Sequence, residues 1–214
     1  DTSEGVGQVV SWVRSLPALQ RCALHFACDL ADAAVALEAL APLAREELES
    51  LSIEIASPEP QGDLLLPTSF LRPTAVVPVL CRGLHLRVPA CVPAMSVAMG
   101  GVHLAELVIQ GGVCTGEEWA DVWEMAAGLR SLQRLTLECE VISGAIHMRL
   151  PAAPVFPALD RLQLAVPILC PSTARVLSEL LGTCPLTELH LRAAVASEEI
   201  GAVVSRAASL RALS

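Results

Sequence analysis

Apolar residues recur along this chain in one spacing, with a leading apolar position followed three and five residues later by two more. The pattern occurs at Leu19/Cys22/Leu24, Leu48/Leu51/Ile53, Cys81/Leu84/Leu86, Leu104/Leu107/Ile109, Leu132/Leu135/Leu137, Leu159/Leu162/Leu164 and Leu186/Leu189/Leu191, and Leu210/Leu213 open an eighth copy. Leading positions fall at 19, 48, 81, 104, 132, 159, 186 and 210, so the steps are 29, 33, 23, 28, 27, 27 and 24 residues, close to 27 on average. Two apolar residues two apart face the same side of a short strand, and the leading one tucks in from the preceding turn. One such strand cannot bury itself. Neighbours stacked about 4.8 Å apart can, because each apolar pair packs on the next and the core extends along the array.

Between the strands there is room for a returning helix. Thr115-Gly-Glu-Glu-Trp119 offers a cap and early acidic residues, Trp119, Val122, Trp123 and Ala126 follow at helical spacing, and Gly128 is a stop. Ser172 to Leu181 repeats the design between Pro171 and Gly182. Val6 to Arg14, Asp32 to Leu40 and Ala196 to Ala207 read the same way. Two intervals, Ser57 to Gly62 and Pro151 to Pro157, are too rich in proline for helix and predict extended loops. The expectation is a single array over residues 1–214, of about seven to eight degenerate repeats. Repeat stacks need capping ends, so the array is expected to be cut from a longer protein at both ends.

Composition narrows the classes. Apolar residues are 53% of the chain and aromatics 3%, so the core must be aliphatic. All 14 basic residues are Arg, and Lys, Asn and Tyr are absent, as a GC-rich genome would produce. A net charge of −9 without a basic patch disfavours nucleic acid and anionic membranes as partners. The uncharged run from Val88 to Ala105 is broken by Pro89, Pro93, Gly100, Gly101 and His103, which argues against a transmembrane helix. Eight scattered cysteines with no CxxC pair read as small buried apolar residues in a reducing compartment, cytoplasmic or nuclear. No signal-peptide pattern opens the chain.

The step near 27, the LxxLxL strands and the helical returns resemble the ribonuclease-inhibitor-like class of leucine-rich repeats over nearly the whole chain. That resemblance implies an α/β leucine-rich-repeat solenoid, a right-handed β-α superhelix whose curved parallel sheet carries helices and irregular loops on its outer side. The class places Asn or Cys shortly after the strand; here Asn is absent and Cys28 and Cys139 fall only near that position. Segments such as Leu64 to Leu71, Leu129-Arg-Ser-Leu-Gln-Arg-Leu-Thr-Leu137 and Phe156-Pro-Ala-Leu-Asp-Arg-Leu-Gln-Leu164 look like the repeat regions of fungal F-box-like proteins. In that family an F-box binds the adaptor of a cullin-type ubiquitin ligase while the repeats hold the substrate, and no F-box is visible in this segment. A chain without Lys would also offer ubiquitin no side-chain amine.

The residues between and just after the strand leucines point away from the core. They form three rows: Arg21, Ser50, Gly83, Glu106, Arg134, Arg161 and Glu188; Ala23, Ser52, His85, Val108, Thr136, Gln163 and His190; His25, Glu54, Arg87, Gln110, Glu138, Ala165 and Arg192. Glu54 is expected between His25 and Arg87, and Arg134 beside Glu106 and Arg161. The face reads both as a solvated surface of weak cross-strand pairs and as a mixed-charge recognition surface anchored by Arg. The candidate partner-binding residues are its charged, histidine and glutamine members: Arg21, His25, Glu54, His85, Arg87, Glu106, Gln110, Arg134, Glu138, Arg161, Gln163, Glu188, His190 and Arg192. Trp119 and Trp123, four apart, are expected to be buried together, with Trp12 packed likewise on the first helix.

Catalytic signatures are missing: there is no GxSxG, P-loop, GxGxxG, HExxH or calcium loop. Glu117-Glu118 and Glu198-Glu199 sit at helix starts, where the helix dipole accounts for them. His85 and His190 lie several strands apart and share no nucleophile or metal. A non-enzymatic scaffold binding a protein partner or substrate, without cofactor or metal, is the leading expectation. The competing class is a ligand-sensing or regulatory repeat region of a nucleotide-binding receptor or GTPase regulator, which an upstream phosphate loop would betray.

Overall fold

The computed structural model describes residues 2–28, 36, 39–40, 43, 48–56, 81–90, 104–115, 122–123, 126–143, 156–169, 171–196, 198–205 and 212–213. Helix α1 (Thr2–Arg14) leads into β1 (Arg21–Ala27), β2 (Ser50–Ala56), β3 (Gly83–Ala90), β4 (Glu106–Thr115), β5 (Arg134–Ser143), β6 (Arg161–Ala165) and β7 (Ile168–Leu169). Then come α2 (Pro171–Thr183), β8 (Glu188–Arg192), β9 (Val195–Ala196), α3 (Glu198–Ser205) and β10 (Ala212–Leu213). The chain is α/β. Eight strands form one parallel sheet in the order β1-β2-β3-β4-β5-β6-β8-β10, and β7 pairs with β9 in a two-stranded one.

Register follows the apolar spacing without a slip. Cys22, Leu51, Leu84, Leu107, Leu135, Leu162, Leu189 and Leu213 pair successively, as do Leu24, Ile53, Leu86, Ile109, Leu137, Leu164 and Leu191. A one-residue slip would turn every leucine to the solvent face, so the buried side pins the pairing. Both ladders are buried from β2 to β6, whereas Leu24 on β1 and Leu191 on β8 are only partly covered.

Strands β1, β5 and β6 are each led in by a turn that seats the first leucine. Leu19, Leu132 and Leu159 donate their N–H to the carbonyls of Leu16, Leu129 and Phe156 three residues earlier. Leu129, Leu132, Phe156 and Leu159 are buried as a result. At the next step one carbonyl accepts from two successive N–H groups of the following strand: Gln20 from Glu49 and Ser50, Ala105 from Gln133 and Arg134, Gln133 from Asp160 and Arg161, Asp160 from Thr187 and Glu188. Both lone pairs of these carbonyls are used, which ties each strand's entry to the next. Between β2 and β3 the pattern shifts by one, with Arg82 bonding the Leu48 carbonyl and Gly83 that of Glu49. A Cβ on Gly83 would stand 3.3 Å from the Glu49 oxygen, which is why glycine suits this position.

The helices close the other side of the leucine ladders. Val6, Val10 and Val13 of α1, Ala174, Val176, Leu177 and Leu180 of α2, and Ile200 of α3 belong to the same buried cluster as the strand leucines. Acidic Glu198 and Glu199 open α3, where the dipole favours them. Ala36, Ala39 and Leu40 are helical, as are Val122, Trp123, Ala126 and Ala127, and the turn at Gly128 follows. Trp123 is fully buried, edge-on to Phe156 with ring centroids 6.3 Å apart.

Several sequence expectations need correction. Trp12 is 63% exposed, because on α1 it lies about 130° round the helix from the centre of the Val6, Val10, Val13 stripe. Thr115 ends β4 paired with Ser143 and is a strand residue. Pro171 is the first residue of α2 and Gly182 lies in its last turn, so that helix is longer at both ends than its punctuation implied. Proline at a first helical position loses no intrahelical bond. The expected loop at 57–62, Trp119 and the pair Glu117-Glu118 lie outside the described residues. Among the described residues no helix is long and apolar enough to cross a membrane.

Burial also governs the thiols. Loss of hydration pushes Cys81 up to about 11 from 9.0 and raises Cys22 and Cys184 in the same direction. Between those two values the unfolded chain has released the Cys81 proton and the folded chain retains it, so stability falls with rising pH. The contribution is complete below pH 9.0 and is lost towards pH 11. With no Lys or Tyr titrating there, urea midpoints should decline from about pH 9 to pH 11 by the equivalent of about 3 kcal/mol. Cys81→Ala should make the decline shallower, leaving the part due to Cys22 and Cys184, and an equally steep decline in that variant would contradict the assignment.

Candidate functional site

The alternation that buries the leucines leaves three parallel rows on the opposite face. Structural register aligns them as the sequence pattern implies, from Arg21 beside Ser50 to Arg161 beside Glu188 in the first row and from His25 beside Glu54 to Ala165 beside Arg192 in the third. Among the described residues no helix or loop covers this face. Gly83 is buried and adds backbone alone to the first row.

Each carboxylate gathers its neighbours. Glu54 lies 3.3 Å from Arg87 Nη1 and 3.9 Å from His25 Nδ1, the arrangement expected for the third row. In the first row Glu106 is 3.6 Å from Arg134 Nη1 and 3.9 Å from His85 Nε2. His85 Nε2 is shielded from solvent and has no hydrogen-bond partner among the described residues, since the Glu106 contact is too long for one. Glu188 is 3.3 Å from Arg161 Nη2, and Asp160 lies 3.8 Å from the same guanidinium at Nε.

Glu138 is the most connected member. Gln110 Nε2 on β4 donates to its Oε2 at 2.8 Å, and Gln163 Nε2 on β6 donates to its Oε1 at 2.9 Å. Gln163 belongs to the middle row and reaches it diagonally, which adjacent strands allow. Arg192 on β8 is two strands away, about 9.6 Å across the sheet. Ala165 stands between them and is too short to obstruct, so Arg192 Nη2 approaches Glu138 Oε2 to 3.9 Å. Four strands thus converge on one carboxylate.

A hollow of about 560 Å³ runs along the third row and the residues just after it, on β2 to β6 and β8. Gly111, Ala165 and Ala194 line it together with Glu138, Arg87 and Arg192. Exposed pairs of this kind contribute about 0.2–1 kcal/mol each, so the face is held by the leucine core beneath it rather than by its own charges. The fixed backbone spacing makes the face a rigid grid of donors and acceptors.

Of the fourteen candidate residues, twelve fall into these four groups around Glu54, Glu106, Glu138 and Glu188. Arg21 sits apart on the outer strand β1, and His190 beside Gln163 in the middle row. Sequence reasoning missed Asp160 and Thr187, which precede β6 and β8. The Thr187 hydroxyl donates to the Asp160 carboxylate at 2.5 Å, and that carboxylate faces Arg161. A fourth row read one residue before each strand, Gln20, Glu49, Arg82, Ala105, Gln133, Asp160 and Thr187, contains both. In comparisons with known proteins, no family model matches this chain and no curated protein or solved structure is similar to it.

Proposed function

We propose that this chain is a leucine-rich-repeat solenoid of non-enzymatic character that holds a protein partner on its outward sheet face. The observation that carries the reading is the in-register grid on strands β1 to β6 and β8, which no described helix or loop covers and whose opposite side packs into the core. Repeat arrays of this construction fix a rigid surface and leave its side chains open to variation, which suits recognition of another macromolecule.

The biological role we assign is substrate recognition for an F-box-like ubiquitin-ligase subunit in the cytoplasm or nucleus. It rests on the segments Leu129 to Leu137 and Phe156 to Leu164 and their likeness to fungal F-box-like repeats. The cullin adaptor would be bound through an F-box outside residues 1–214. The test is to tag the full-length product in its own cells and identify co-purifying proteins by mass spectrometry. Recovery of the adaptor supports the ligase role; its repeated absence, with other partners present, would leave a general binding solenoid.

A further inference from the structure

Acids and bases on the outward face do not stand at the same height. In the first-row pairs Glu106–Arg134 and Glu188–Arg161 the carboxylate side chains are 31% and 29% exposed, against 51% and 52% for their arginines. In the third row Glu54 and Glu138 are 38% and 21% exposed, against 65% for Arg87 and 78% for Arg192. An approaching molecule therefore meets guanidinium first. Each guanidinium has five N–H donors; one contact of 3.3–3.9 Å on Arg87, Arg134 and Arg192, and two on Arg161, to Glu188 and Asp160, leave most of them unspent.

Arg134 and Arg161 add a second observation. They are register neighbours on adjacent strands, where like charges destabilise a sheet. Their nearest carboxylates lie on opposite sides, Glu106 on β4 and Glu188 on β8, and no acid stands between them in the first row. The middle row between the charged rows is neutral here, with Val108, Thr136 and Gln163.

Resting on the partner-binding reading above, we propose that the docked segment is acidic: an Asp- and Glu-rich stretch of a protein whose carboxylates bridge Arg134 and Arg161 and reach Arg87 and Arg192 across the neutral row. First and third rows are about 13 Å apart along a strand, a span that four extended residues cover. Arg is also the side chain whose planar fork best matches a carboxylate. The net charge of −9 works against any general attraction to acidic peptides, so such a preference must arise locally at this face.

The test is to pan a library of short random peptides displayed on phage against the 214-residue chain, then measure recovered peptides by fluorescence anisotropy. Asp and Glu should be enriched, and the affinity should fall with added salt. Arg134→Gln/Arg161→Gln, checked for folding by circular dichroism, should weaken binding by about tenfold or more, as loss of interface arginines does. Arg175→Gln, on the exposed side of α2, should leave it unchanged. Enrichment of Lys and Arg, failure to recover peptides, or equal binding by the double variant would overturn the proposal. So would stronger binding by a phosphoserine peptide or a single-stranded oligonucleotide, which would reassign the arginines to phosphate. Basic or apolar peptides that still lose affinity in the double variant would sink the acidic preference alone and keep the face as a docking surface.

Discussion

Leu135→Asp is expected to abolish folding, whereas Thr136→Asp, one residue along β5, should change stability by no more than about 1 kcal/mol. Leu135 is buried between Leu107 and Leu162 in the ladder. An aspartate there would sit among the apolar side chains of the ladder, and a buried unpaired charge costs many kcal/mol or forces protonation. Total stabilities of about 5–15 kcal/mol leave little to oppose it. Thr136 is partly buried between Val108 and Gln163 on the outward face, where water remains available. Circular dichroism and urea unfolding of the two variants decide the matter. Similar losses in both would mean that the strand does not alternate between core and solvent as described.

Trp123→Ala should cost about 3–5 kcal/mol, since it removes a large, fully buried side chain and its edge contact with Phe156. The indole deserves comparison with phenylalanine for a particular reason. Trp123 Nε1 is buried with no hydrogen-bond partner among the described residues, and an unmet buried donor carries a penalty of about 1–3 kcal/mol. Trp123→Phe keeps an aromatic ring against Phe156 and deletes that donor. Its loss should therefore be smaller than that of alanine by about 2 kcal/mol or more. Chemical denaturation with a probe other than tryptophan fluorescence would measure it. Equal losses would show that Nε1 has an acceptor and that the ring is held by it.

Strand positions and register were legible because period-two alternation leaves one pairing that buries every leucine, and the seven copies reinforce one another. The same logic placed all three outward rows, including Glu54 between His25 and Arg87. Helix limits were less legible. Proline and glycine each have two meanings near a helix end, so Pro171 and Gly182 were read as flanks when both are inside α2. Trp12 misled because four valines on α1 already fill the stripe facing the core, and a large apolar side chain beyond that stripe has nowhere to be buried. The short strands β7 and β9 carry no repeat signal of their own, being two residues each. The convergence on Glu138 was hidden for another reason. It depends on Ala165 being small enough for Arg192 to pass over it and on a diagonal reach from Gln163, and neither is a property of one row.

The proposed role of the outward sheet face is to hold a protein partner. Its most direct measurement places a photo-crosslinking amino acid in the full-length product, at Thr136 on the sheet face or at Arg175 on α2, followed by irradiation in the native cells. Crosslinks from position 136 and none from position 175 are the predicted result. Crosslinks from position 175 with none from 136 would contradict the claim and move recognition to the helical side.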